Sequence, residues 1–105
     1  MKGTVVILAF PFSDLSGAKR RPALVVFDWG GSDVILCQIT SKAKFDGWEV
    51  AFENFDFENG GLPLPSNIRP NKLFTAHKAT ILSTAGKISN AVYQNVIHQI
   101  NLLVS

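Results

Sequence analysis

The chain has 105 residues, 47% hydrophobic and 17% charged, which is enough apolar material for the core of one compact domain and argues against disorder. A formal net charge of +2 falls short of the lysine- and arginine-rich excess that by itself marks a nucleic-acid binder, so any site for a polyanion must be local. One cysteine excludes an internal disulfide, and no stretch reaches the ~18 consecutive apolar residues of a membrane span, so a soluble cytoplasmic protein is expected.

Met1, Lys2 and Gly3 followed by an apolar run have the outline of a secretory signal, but Pro11, Ser13 and Asp14 end the run early and no small-residue cleavage pattern follows. Residues 4–10 are read instead as a buried strand, rich in β-branched residues and stopped by Pro11. Residues 11–21 hold Ser13, Asp14, Ser16 and Gly17 and read as a loop that ends in the cations Arg20 and Arg21. Pro22 then opens a second strand over 23–28, at a position where a missing N–H is tolerated.

Gly30, Gly31, Ser32 and Asp33 predict a hairpin turn, and residues 34–40 return as a third strand that carries Cys37 as a small core residue. The alternation of Trp48, Val50 and Phe52 with Glu49, Ala51 and Glu53 predicts a half-exposed antiparallel strand. Residues 54–70, with Gly60, Gly61, Pro63, Pro65 and Pro70, read as a long irregular connection with a brief extended piece near 66–69, and the acidic stretch Glu49, Glu53, Asp56 and Glu58 reads as solvated surface. Residues 72–82 predict one or two short strands, and Gly86, Lys87 and Ile88 lead into a helix capped by Ser89 or Asn90. That helix runs to about Leu103 with Val92, Val96, Ile100 and Leu103 on one face, which should cover one end of a curled sheet. The pattern points to a mainly β fold, a small antiparallel barrel with a C-terminal α-helix, in a single domain over 1–105.

The chemistry concentrates in two places. Arg20, Arg21 and Pro22 end the first loop, and Ile39, Thr40, Ser41 and Lys42 end the third strand. A guanidinium is a planar, permanently charged fork that matches phosphate oxygens, and hydroxyls donate to the same oxygens. Brought together, these groups suit phosphoryl chemistry on a nucleic acid. The alternatives are structural: Arg21 paired with a surface carboxylate, Thr40 filling a strand end.

With Gly3 to Ile7 and Phe10-Pro11, Arg21 to Val26, Ile39 to Ser41, Leu73 to Thr75, and Gly86 to Ser89 in this order, the sequence resembles the MazF/PemK-type toxin endoribonucleases, the mRNA interferases of bacterial toxin–antitoxin pairs. The resemblance spans nearly the whole chain. It implies an SH3-like or CcdB-like barrel, a homodimer with single-stranded RNA in a groove at the interface, and a cognate antitoxin that blocks the groove. It further implies operator DNA as a partner only of the toxin–antitoxin complex, no membrane, and cleavage without a metal or other cofactor through attack by the RNA 2′-hydroxyl.

The family's catalytic arginine before proline matches Arg21, and its hydroxyl residue at the end of the third strand matches Thr40. Lys19, Arg20, Ser41, Lys42, Lys44 and His77 are the expected RNA-binding residues, with a solvated turn as the alternative reading of Ser41, Lys42 and Lys44. The sequence departs from the pattern where Thr4 follows Gly3, at Ala9, and at Ala76 and His77, where several relatives carry an acidic residue and a glutamine. His77 is read either as a general acid or as an exposed strand residue, His98 as a helix-surface residue, and Trp29 and Phe45 either as base-stacking or as core aromatics. Two isolated histidines have no metal-site spacing. The rival reading is a catalytically silent member of the fold, a nucleic-acid-binding module or a gyrase-inhibitor-like protein.

Overall fold

In the computed structural model, which describes residues 1–10, 19–42 and 46–105, a single sheet carries seven strands in the order β4-β6-β3-β2-β1-β7-β5. They are β1 (Thr4–Phe10), β2 (Lys19–Phe27), β3 (Asp33–Thr40), β4 (Val50–Phe52), β5 (Phe57–Gly60), β6 (Ser66–His77) and β7 (Ile81–Ile88), with helix α1 over Asn90–Val104. Every pairing is antiparallel. The sheet curls into a half-barrel: one 3-10 turn, Lys78–Thr80, links β6 to β7, yet no ladder joins those two strands.

Both faces of the sheet are buried, which is why β1 to β3 read as near-continuous apolar runs. Val6, Leu8, Ala23, Val25, Val34 and Leu36 pack together on one face with Phe74, Ala76 and Ile81 against them. Val5, Leu24, Val26, Cys37 and Ile39 face the other way and are covered by Val96 with Val92, Ile97 and Ile100 of α1. Ser89 caps the helix, its Oγ accepting from the Val92 N–H at 3.3 Å. The Tyr93 hydroxyl donates to the Val26 carbonyl at 2.8 Å and fixes the helix across the sheet. Leu103, the last member of the expected stripe, stays 36% exposed beyond the core. Desolvation pushes the buried Cys37 thiol up to about 12, which removes the thiolate a nucleophile needs.

Three expectations are corrected. The cations Lys19 to Arg21 belong to β2, paired with β1 as Phe10–Lys19, Ala9–Arg20 and Leu8–Arg21, and are not the end of a loop; the rest of that expected loop lies outside the described residues. The strand expected over 48–53 shrinks to Val50–Phe52, although Val50 and Phe52 are buried and Ala51 exposed as the alternation requires. The connection 54–70 is not irregular: it holds a 3-10 turn at Asn54–Asp56, all of β5 and the first residues of β6. Proline 70 lies inside β6 because Gln38 pairs with Arg69 while Cys37 pairs with Leu73, so residues 70–72 bulge out of the ladder and Pro70 forfeits no hydrogen bond to β3. The acidic residues there are partly structural, since the Glu53 N–H donates to Asp56 Oδ2 at 2.9 Å and closes the 3-10 turn.

Gly60 and Gly86 cross face to face where β5 meets β7. A Cβ on Gly60 would strike the Ala85 carbonyl oxygen and lie 2.7 Å from the Gly86 Cα, and its φ of +76° favours glycine independently. Gly60→Ala should therefore lower unfolding stability by about 3 kcal/mol, the sum of left-handed strain and overpacking. Urea denaturation checks this; a loss below about 0.5 kcal/mol would contradict the close crossing.

Candidate RNA-cleaving cleft

β2 and β3 pair only as far as Ala23–Gln38, and beyond that pair they part. Pro22 falls at the point of parting, paired with Ile7 of β1 and outside the β2–β3 ladder, so no bond to β3 is lost for want of its N–H. Two residues past that pair stand Arg21 on one strand and Thr40 on the other, and both line the same cleft. The sequence pairing of an Arg-Pro step with a strand-ending Thr thus becomes spatial neighbourhood.

A cleft of about 310 Å³ opens between the parted strands, lined by Lys19 to Pro22 on one side and Ile39 to Lys42 on the other. Ile7 and the segment Leu62, Pro63, Leu64 and Ser66 complete it. Among the described lining residues all four charged groups, Lys19, Arg20, Arg21 and Lys42, are cations. A polyanion is the ligand such a lining attracts.

Thr40 is half-buried, and its Oγ1 accepts from the Lys42 N–H at 3.1 Å. This bond turns the chain directly after β3 and leaves the hydroxyl proton available to donate into the cleft. The Asp46 carboxylate accepts from the Trp48 N–H at 3.0 Å, from Asn71 at 3.0 Å and from Arg69 at 2.8 Å. Those donors, the Trp48 N–H foremost, hold the Asp46 carboxyl well below the usual carboxylate range.

The apolar wall was not foreseen from sequence. Leu62 to Ser66 arrive because the Leu62 N–H donates to Asn54 Oδ1 at 2.9 Å and the Gly61 N–H to the Ala85 carbonyl at 3.2 Å, both just past the glycine crossing. Ser66, only 6% exposed, donates to the Leu64 carbonyl at 3.0 Å and fixes the bend of the wall. Pro63 and Pro65 around an exposed Leu64 are the one local signal for it, and they do not say which surface the wall faces.

Of the expected RNA-binding residues, Lys19, Arg20, Ser41 and Lys42 line the cleft with Arg21 and Thr40. His77 does not join them: it pairs with Asp33 at the opposite end of β3, about 23 Å from Thr40 at strand rise, and its Nδ1 accepts from the Ala79 N–H at 2.9 Å. It caps the 3-10 turn, the reason it stands where it does. Lys44 and Phe45 lie outside the described residues. Trp29 is not core: it is half exposed and stacks on Phe27 at 5.8 Å, at the far end of β2 from Arg21. His98 is exposed on α1, and among the described residues no three His, Cys, Asp or Glu side chains gather as a metal site.

The model of the PemK-like, MazF-like toxins of type II toxin–antitoxin systems matches residues 1–104. The chain belongs to this family. MazF-like structures match its fold throughout. A MazE–MazF complex from Deinococcus radiodurans aligns with a TM-score of 0.76 at 20% identity, covering 98% of this chain and 94% of that one. MazF alone from the same organism gives 0.75 at 20% identity with the same coverage, 98% and 94%. An endoribonuclease bound to its cognate antitoxin, from a mycobacterial species, gives 0.72 at 19% identity over 99% of this chain and 91% of that one. No curated protein matches the MazF-like sequence. The half-barrel and terminal helix are thus the MazF fold.

Proposed function

We infer that this MazF-like chain is the toxin of a toxin–antitoxin pair and that it cuts single-stranded RNA without a metal, with Arg21 and Thr40 as its catalytic residues. The observation that carries this reading is that Arg21 and Thr40 line one cleft whose described charged lining is wholly cationic. When a ribose 2′-oxygen attacks the adjacent phosphorus, negative charge grows on the non-bridging oxygens. The Arg21 guanidinium stabilises that charge through directed N–H bonds, and the Thr40 hydroxyl holds the phosphate for in-line attack. Lys19, Arg20, Ser41 and Lys42 hold the flanking strand, and the products are a 2′,3′-cyclic phosphate, or the 3′-phosphate from it, and a 5′-hydroxyl. Incubating the purified protein with single-stranded RNA and identifying both new ends tests this. RNA that is bound but uncut would favour the silent binding module of the same fold.

A cognate antitoxin is the natural protein partner, because similar folds occur in complexes with theirs and because a cationic cleft with an apolar wall suits an acidic, partly apolar tail. Operator DNA would be met only in that complex, and the setting is the cytoplasm; none of the described helices is long and apolar enough to cross a membrane. The groove is completed by a second copy, so light scattering should give about twice the 11.5 kDa chain mass. A strict monomer at micromolar concentration that still cleaves would refute a shared groove.

A further inference from the structure

We propose that Lys42 is the general acid of the cleft, giving its ammonium proton to the 5′-oxygen that leaves when the RNA strand breaks. This rests on the ribonuclease reading and names a group which that reading leaves open. As the 2′-oxygen–phosphorus bond forms, the bond from phosphorus to the 5′-oxygen breaks, and the departing alkoxide takes up a proton. The 2′-hydroxyl proton passes to water, the Lys42 proton passes to the 5′-oxygen, and the resulting amine recovers a proton from solvent, so atoms and charge balance.

Three observations converge on Lys42. Its backbone N–H is held by Thr40 Oγ1 at 3.1 Å, so the residue that orients the phosphate also fixes the root of the Lys42 side chain. The side chain lines the same cleft as Arg21, and no described carboxylate pairs with its ammonium, while Lys78, Lys87 and Arg69 are each matched to an acid elsewhere. The described lining otherwise holds hydroxyls, one further lysine on the β2 side and two guanidiniums, and a guanidinium does not surrender its proton. His77, the obvious acid by residue type, stands at the far end of β3.

The test uses a single-stranded RNA carrying the wild-type cleavage site, mapped beforehand, made once with the natural 5′-oxygen and once with sulfur in its place. A thiolate leaves without protonation, so loss of a general acid is repaired by sulfur and loss of a phosphate contact is not. Lys42→Arg keeps the charge. It should bind RNA within about twofold of wild type, cut the oxygen substrate ~10²-fold more slowly, and cut the sulfur substrate within a few-fold of wild type.

Oxygen-substrate cleavage by Lys42→Arg near the wild-type rate would overturn the assignment, as would an equal loss on both substrates. His77→Gln serves as the contrast, and sulfur rescue of it in place of Lys42→Arg would move the acid there and reject Lys42. A wild-type protein that cuts neither substrate would defeat the ribonuclease reading itself, an outcome distinct from all of these.

Discussion

Arg21→Ala should lower the rate of RNA cleavage by ~10²-fold or more while the protein stays folded, because it removes a preorganised donor aimed at charge that grows only in the transition state. Arg21 is exposed near the start of β2, outside both buried clusters, so truncating its side chain opens no cavity in the core. Thr40→Ala should cost a comparable factor. It also releases the Lys42 N–H, so circular dichroism must accompany the assay, and Thr40→Ser, which keeps the hydroxyl, should retain most activity. Arg20→Ala provides the contrast: as a phosphate contact it should weaken binding and reduce the salt slope by about 1 while turnover survives. If Arg20 proves essential and Arg21 dispensable, the roles assigned to the two arginines are exchanged.

An RNA with a single 2′-deoxy sugar 5′ to the scissile phosphate should be bound as well as the unmodified strand and not cut at that linkage at all. The nucleophile would be supplied by the substrate, and the protein contributes position and charge. For the same reason cleavage of the unmodified strand should persist in EDTA, and single-stranded DNA should be bound and left whole. Activity that vanishes on chelation and returns with magnesium would point to an attacking water held by a metal, and would remove the role given to the 2′-hydroxyl.

The sequence analysis reached the regions where local chemistry decides. β1 has the bounds its apolar run and Pro11 imply, and α1 begins one residue after the Ser89 cap. It failed where distant residues decide. The extended path of β6 through Pro70 depends on a bulge opposite β3, and β5 exists because a glycine in it meets a glycine in β7; neither partner is visible within a local window. The candidate site divides in the same way. Arg21 and Thr40 could be marked by residue type and by the family resemblance, and both line one cleft just past the end of the β2–β3 ladder. The wall from Leu62 to Ser66 depends on Asn54 and Ala85, and the exclusion of His77 on which end of β3 it pairs with.

The parting of β2 and β3 after the Ala23–Gln38 pair separates what holds the molecule together from what would make it poisonous. Arg21 and Thr40 lie past the last rung shared by their strands, and neither belongs to the buried apolar clusters on the two faces of the sheet. On the proposed reading, a harmless version of the protein would be one substitution away, with the same fold. Cells should tolerate Arg21→Ala in quantity without its inhibitor, which would allow the inhibitor's grip to be weighed on a target that no longer damages the host.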